Sequence, residues 1–179
     1  VERQNKMISK ILDTTAIDSN NANIELTKLN IAEVMSEVST TLRVIAAKKD
    51  ITIKLNFHQN LQCIEADKNY FIQAIENIIS NAIKFSPRDT TVTISAKTVK
   101  EKTVISIQDE GPGINKEDME LLFTAYSKLS AQPTADESST GLGLSIAKKY
   151  IDYMNGMIWC ESELGKGATF FLSFDSVDC

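Results

Sequence analysis

Apolar residues recur along this chain with two periods, one helical and one alternating, and the changes between them mark out its elements. Met7, Ile8, Ile11 and Leu12 fall at helical spacing in an otherwise polar opening stretch, which predicts a helix with a narrow apolar stripe over Val1 to Ile17. The turn-forming run DSNNAN ends it and predicts a domain boundary, with 1–22 as helix plus linker and 23–179 as one domain. IELTKLNI reads as a short strand, Ile31 to Lys49 as an amphipathic helix, and ITIKLNF, from Ile51, as an alternating strand. A second short strand precedes Asp67, which is placed to cap the most strongly periodic helix of the chain. That helix carries Phe71, Ile75, Ile78, Ile79, Ala82 and Ile83 on one side, and Pro87 lies just beyond it.

Two alternating strands, TVTISAKTV and TVISIQ, follow around the charged turn KEK and run into DEGPGI. A short helix is predicted from Lys116 to Leu122, then a polar segment, Phe123 to Thr140, too long for an ordinary connection and expected to be a lid. From Gly141 a helix turns Leu144, Ala147, Ile151 and Met154 inward and stops at Asn155-Gly156; the strands MIWCES and ATFFLSF close the domain around Gly165 and Gly167. Strands that do not alternate strictly with helices predict an α+β fold, a two-layer sandwich of a mixed sheet with about three helices on one face.

The 179 residues carry a formal charge of -5, which argues against a nucleic-acid partner, and they contain no apolar run long enough to span a bilayer. A cytoplasmic location is expected. Cys63, Cys160 and Cys179 are odd in number and far apart, so free thiols are expected rather than a disulfide or a zinc site. Because the chain starts at Val1 rather than Met, it reads as part of a longer protein.

Four short motifs could carry chemistry. On the Asp67 helix, Asn77, Asn81 and Lys84 share one face, where neutral amide oxygens suit magnesium and an ammonium suits phosphate. Alone, that face would be a solvated surface. Asp109 stands at a strand end in front of two glycines, where a fixed carboxylate could read an exocyclic amine. Gly141-Leu142-Gly143-Leu144 opens a helix whose free N–H groups would suit phosphates. Gly165-Lys166-Gly167-Ala168-Thr169 is, first of all, a turn. No GxxxxGK[ST] loop is present.

In order, ENIISNAIKFSP, DEGPGI, LLFTAYSKL, TGLGLSIAKKY and GKGATFFLSF resemble the N box, first glycine box, F box, second glycine box and terminal GxGT motif of sensor histidine kinases. The resemblance covers nearly all of the chain after residue 23, and it implies the Bergerat ATP-binding fold with ATP and Mg2+ as cofactors. By motif position it makes Asn81 the principal magnesium ligand, assisted by Asn77, and sets Lys84 against phosphate and Phe85 beside the adenine. It makes Asp109 the adenine reader, with Gly111, Gly113 and Ile114 lining the base pocket and Thr169 supporting Asp109 through water. Gly141, Leu142, Gly143 and Leu144 end the lid over the phosphates, and Lys128 reaches the γ-phosphate. The F box departs from FxPF, reading Phe123-Thr124-Ala125-Tyr126.

Hydrolysing branches of that superfamily carry a glutamate where this chain has Asn77, and an amide is no general base, so transfer to a histidine is favoured over hydrolysis. The acceptor itself is missing. His58, the one histidine, is followed by Gln59 rather than an acidic residue and reads as a surface residue. The resemblance therefore implies a histidine on a dimerisation helix elsewhere in a homodimeric parent, for which it allows membrane attachment, with residues 1–22 ending the second such helix and a response-regulator receiver domain downstream. An anti-sigma serine kinase of the same fold and a non-catalytic ATP-sensing module are the alternatives.

Overall fold

A computed structural model of the chain describes residues 24–127, 129–134 and 141–179. The helix and linker expected over 1–22 lie outside the described residues. The elements are β1 (Thr27–Leu29), α1 (Ile31–Ala47), β2 (Thr52–Phe57), β3 (Cys63–Ala66), α2 (Lys68–Phe85), β4 (Thr91–Val99), β5 (Lys102–Gln108), α3 (Lys116–Leu121), α4 (Gly143–Tyr153), β6 (Met157–Ser162) and β7 (Ala168–Val177).

The strands form one mixed sheet in the order β1-β3-β7-β5-β4-β2. Only the β2–β4 pair is parallel. The long strand β7 organises it: β5 pairs along one edge, while β6 and then β3 share the other. Alternation along the strands buries Val92, Ile94, Ile105, Ile107, Leu172 and Phe174 on one face, where α1, α2 and α4 pack as the second layer. The fold is the α+β sandwich that the pattern predicts, with the short α3 as a fourth helix.

α2 sits at the centre of the helix layer. Asp67 caps it by accepting from the N–H groups of Asn69 and Tyr70, and also accepts from the Glu25 N–H, which ties the first strand to the helix start. Phe71, Ile75, Ile78, Ile79 and Ile83 are at most 1 % exposed, and the Phe71 ring meets Phe174 of β7 edge to face at 5.8 Å.

The expectation of free thiols fails at one pair. Cys63 is bonded to Cys179, with Cα atoms 5.1 Å apart. The β3–β7 register sets Val177 opposite Cys63, so the chain just beyond that strand returns to its side. A separation of 116 residues conceals this in the sequence. Cys160 remains free.

Truncating the ring that joins the two layers, Phe71→Ala, is expected to cost about 3–5 kcal/mol, the range for a large aromatic deleted from a packed core. Urea unfolding of the two proteins measures it, and a loss below about 1 kcal/mol would contradict this view of the core.

Candidate nucleotide site

A cavity of about 860 Å³ opens between α2, the start of α4 and the segment that follows α3. Asn77, Asn81, Lys84 and Phe85 line one wall, and Gly141, Gly143 and Leu144 face them. Asn77 is only 8 % exposed and Asn81 and Lys84 are half-buried, so this side of α2 forms a wall of the cavity. A side chain at Gly143 would lie 3.8 Å from Asn81 Nδ2, which shows how closely the start of α4 approaches the asparagines. Leu142 supplies no side-chain cap to α4. Among the described residues the start of that helix thus has no side-chain cap, and the first N–H groups of a helix are of the kind that can hold a phosphate. Leu142 itself is buried in the core and contributes through its backbone.

Asn81, Phe85, Leu122, Leu129, Ala131 and Leu144 also border a narrow apolar slot of about 50 Å³, closed by Asp109, Gly113, Ile114, Ala168 and Phe170. Asp109 is buried at its end. The N–H groups of Gly111 and Ala168 donate to its Oδ1 at 2.8 and 3.1 Å, which leaves Oδ2 as the acceptor available to the slot. Desolvation holds this carboxyl above the usual aspartate range, against the pull of the two N–H groups. The neighbouring Cys160 thiol is pushed up to about 12 by burial and by the Asp109 and Glu161 charges, so it is inert near neutral pH.

The loop after Asp109 is stapled to the β6–β7 turn. The Gly165 N–H donates to the Pro112 carbonyl at 2.8 Å, the Ile114 N–H to Ser162 Oγ at 2.9 Å, and Ser162 Oγ to the Gly167 carbonyl at 2.7 Å. Gly113 and Gly167 make this approach possible. Both adopt positive φ, and a Cβ on either would stand 2.1 Å from a carbonyl oxygen, that of Glu163 or of Asp109.

Thr169 does not reach Asp109 from the slot side. Alternation along β7 turns Ala168 and Phe170 to the slot and Thr169 to the other face of the sheet, so the neighbour of Asp109 is the Ala168 N–H. In the F-box segment, Thr124, Tyr126 and Ser127 border the large cavity, and the Tyr126 N–H donates to the Gly141 carbonyl at 3.0 Å. Lys128 lies outside the described residues. Ser80, Leu122 and Leu129 lie inside the N-box and F-box motifs and also line the site, as does Ala131 just beyond the F box.

The family model described as histidine kinase-, DNA gyrase B- and HSP90-like ATPase matches residues 66–178. The chain belongs to this ATPase family. Its nucleotide is therefore ATP. It is similar to the sensor histidine kinase WalK of Bacillus subtilis, at 31 % identity over 94 % of this chain and 28 % of that protein. Among solved structures it matches the histidine kinase AdeS of Acinetobacter baumannii with TM-score 0.81 and 20 % identity, over 99 % of this chain and 81 % of that one. It also matches full-length ShkA in complex with AMPPNP, with TM-score 0.79 and 25 % identity, over 99 % of this chain and 38 % of that one. Within the family, then, its likeness runs to the catalytic domains of histidine kinases, and it spans about a quarter of the length of WalK.

The raised Asp109 carboxyl links pH to stability and to binding with opposite signs. Its contribution to folding is present below its unfolded pKa and is lost as pH rises through its folded one, while a base amine donating to it would be held better by the ionised oxygen that forms across that window. In Asp109→Asn both dependences should flatten. Denaturation and calorimetry across acidic pH test this, and parallel profiles for the two proteins would contradict it.

Proposed function

We propose that this chain is the catalytic module of a two-component sensor kinase, which binds ATP with magnesium and passes the γ-phosphoryl group to a histidine carried by a dimerisation helix. The observation that carries the reading is the composition of the phosphate end of the site. Asn77, Ser80, Asn81 and Lys84 supply amides, a hydroxyl and an ammonium, and among the described residues no Asp, Glu or His lines the large cavity. None of the described residues there could serve water as a general base, whereas phosphoryl transfer to a supplied nucleophile needs mainly positioning and charge stabilisation.

The donor set also fits magnesium. Among the described residues no cluster of His, Cys, Asp or Glu could hold a metal alone. Magnesium keeps most of its waters and takes charge from the substrate's phosphates, so a neutral amide oxygen from Asn81, with Asn77 beside it, is an adequate protein share. When bound, the ion neutralises phosphate charge. Lys84 adds a positive charge on the same wall, the start of α4 borders the same cavity, and Phe85 borders both compartments.

His58 is exposed at the end of the edge strand β2 and lines neither cavity, which suits an acceptor supplied from outside this domain. On this reading the parent is a cytoplasmic-facing homodimer that hands its phosphoryl group to a response-regulator receiver domain. No helix among the described residues is long and apolar enough to cross a membrane.

With γ-labelled ATP the chain alone should acquire no phosphohistidine. Adding a cognate dimerisation fragment in trans should label the fragment slowly, because the tether that sets effective concentration is absent. Asn81→Ala should abolish the transfer. Label on His58 of the isolated chain, or transfer undiminished by Asn81→Ala, would sink the proposal.

A further inference from the structure

Lys49 is the one lysine among the buried described residues, 4 % exposed. It lies in the turn between α1 and β2, and its backbone is fixed there. The Asp89 N–H donates to its carbonyl at 3.2 Å, while Arg88 bonds the Lys48 carbonyl and pairs with Asp50. From this base the ammonium donates to the carbonyls of Ile83 at 2.7 Å and Lys84 at 3.0 Å, in the last turn of α2, and to Thr134 Oγ1 at 2.6 Å. A cation suits this place, because the last carbonyls of a helix lack intrahelical donors and carry the negative end of its dipole. The Thr134 hydroxyl in turn donates to the Ser86 carbonyl at 2.7 Å, and the Thr134 N–H donates to the Lys84 carbonyl at 3.2 Å.

A second buried charge holds the other end of the same segment. Asp118 of α3 is 9 % exposed and accepts from the Ser130 N–H at 2.8 Å and from the Ser130 hydroxyl. Between the two anchors lie Ala131, Gln132 and Pro133, all of which line the large cavity. Part of the expected lid is thus a strap pinned at both ends, and it forms a wall of the cleft.

We infer that Lys49 is a positioning residue for nucleotide binding, joining the strap wall to the end of α2 from which Lys84 and Phe85 border the cleft. Lys49 lines neither cavity, so it acts only through these two elements. Removing its charge leaves the Ile83 carbonyl without this donor and loosens the strap, which then keeps only the Thr134 bonds to the Lys84 and Ser86 carbonyls. The inference rests on the reading that the cleft holds ATP.

Calorimetric ATP affinities of the chain with Lys49→Met, Lys49→Arg, Thr134→Val, Thr134→Ser and the Lys49→Met/Thr134→Val double variant test it, each checked for folding by circular dichroism. Thr134→Val and Lys49→Met should each weaken ATP binding by about tenfold, the scale of a lost charge-assisted hydrogen bond. Lys49→Arg and Thr134→Ser should keep most of the affinity. The double variant should bind no worse than the weaker single, since both changes break one link. Should Lys49→Met fail to fold, the Thr134 pair decides. Affinity unchanged in Thr134→Val, or losses that add in the double variant, would overturn the inference. Failure of the unaltered chain to bind ATP would instead overturn the functional reading.

Discussion

The site depends on one buried carboxylate held by two backbone N–H groups. Burying an ion is costly unless its oxygens find donors, and Asp109 finds them at Gly111, in its own loop, and at Ala168, at the start of β7. Those two bonds set the loop after β5 against the β6–β7 turn. Gly113 and Gly167 are required there because two backbone segments meet where a Cβ would collide with a carbonyl. Two glycine motifs far apart in sequence are therefore halves of a single joint, and that joint holds one buried carboxylate at the end of an apolar slot.

The other half of the site is built from a helix with two faces. The isoleucines of α2 anchor it in the core, so the positions of Asn77, Asn81 and Lys84 are fixed by packing and need no order from the ligand. Buried charges act again at its far end, where Lys49 takes up the last carbonyls of α2 and, with Asp118, ties down the strap that faces it. The loop beside the slot and the strap wall of the large cavity are thus each tied by a buried charged group with fixed partners.

Much of this was legible in the sequence because each signal was local. The Asp67 cap, the isoleucine period and Pro87 define α2; alternation defines β4, β5 and β7; and the motifs fall where helix, strand end and helix start require them. What was not legible depends on partners distant in sequence or on a shift of one residue. The Cys63–Cys179 pair follows from the β3–β7 register, which cysteine spacing does not encode. Thr169 was set beside Asp109, but a strand has period two, so one position exchanges it for Ala168. Lys49 was assigned to the end of a helix that in fact stops at Ala47, and helix ends are the least determined part of any pattern. The burial of Lys49 and of Asp118 arises only when α2 and the strap come together.

The most direct test of the central claim compares ATP with inosine triphosphate, which differs in carrying a carbonyl where adenine has its exocyclic amine. If Asp109 Oδ2 reads that amine, the unaltered chain should bind ATP at least about tenfold more tightly, because a carbonyl facing a buried carboxylate offers it no donor. In Asp109→Asn, whose amide can donate to the carbonyl, the preference should shrink or reverse. Equal affinity of the unaltered chain for both nucleotides, or a preference that survives Asp109→Asn, would contradict the account.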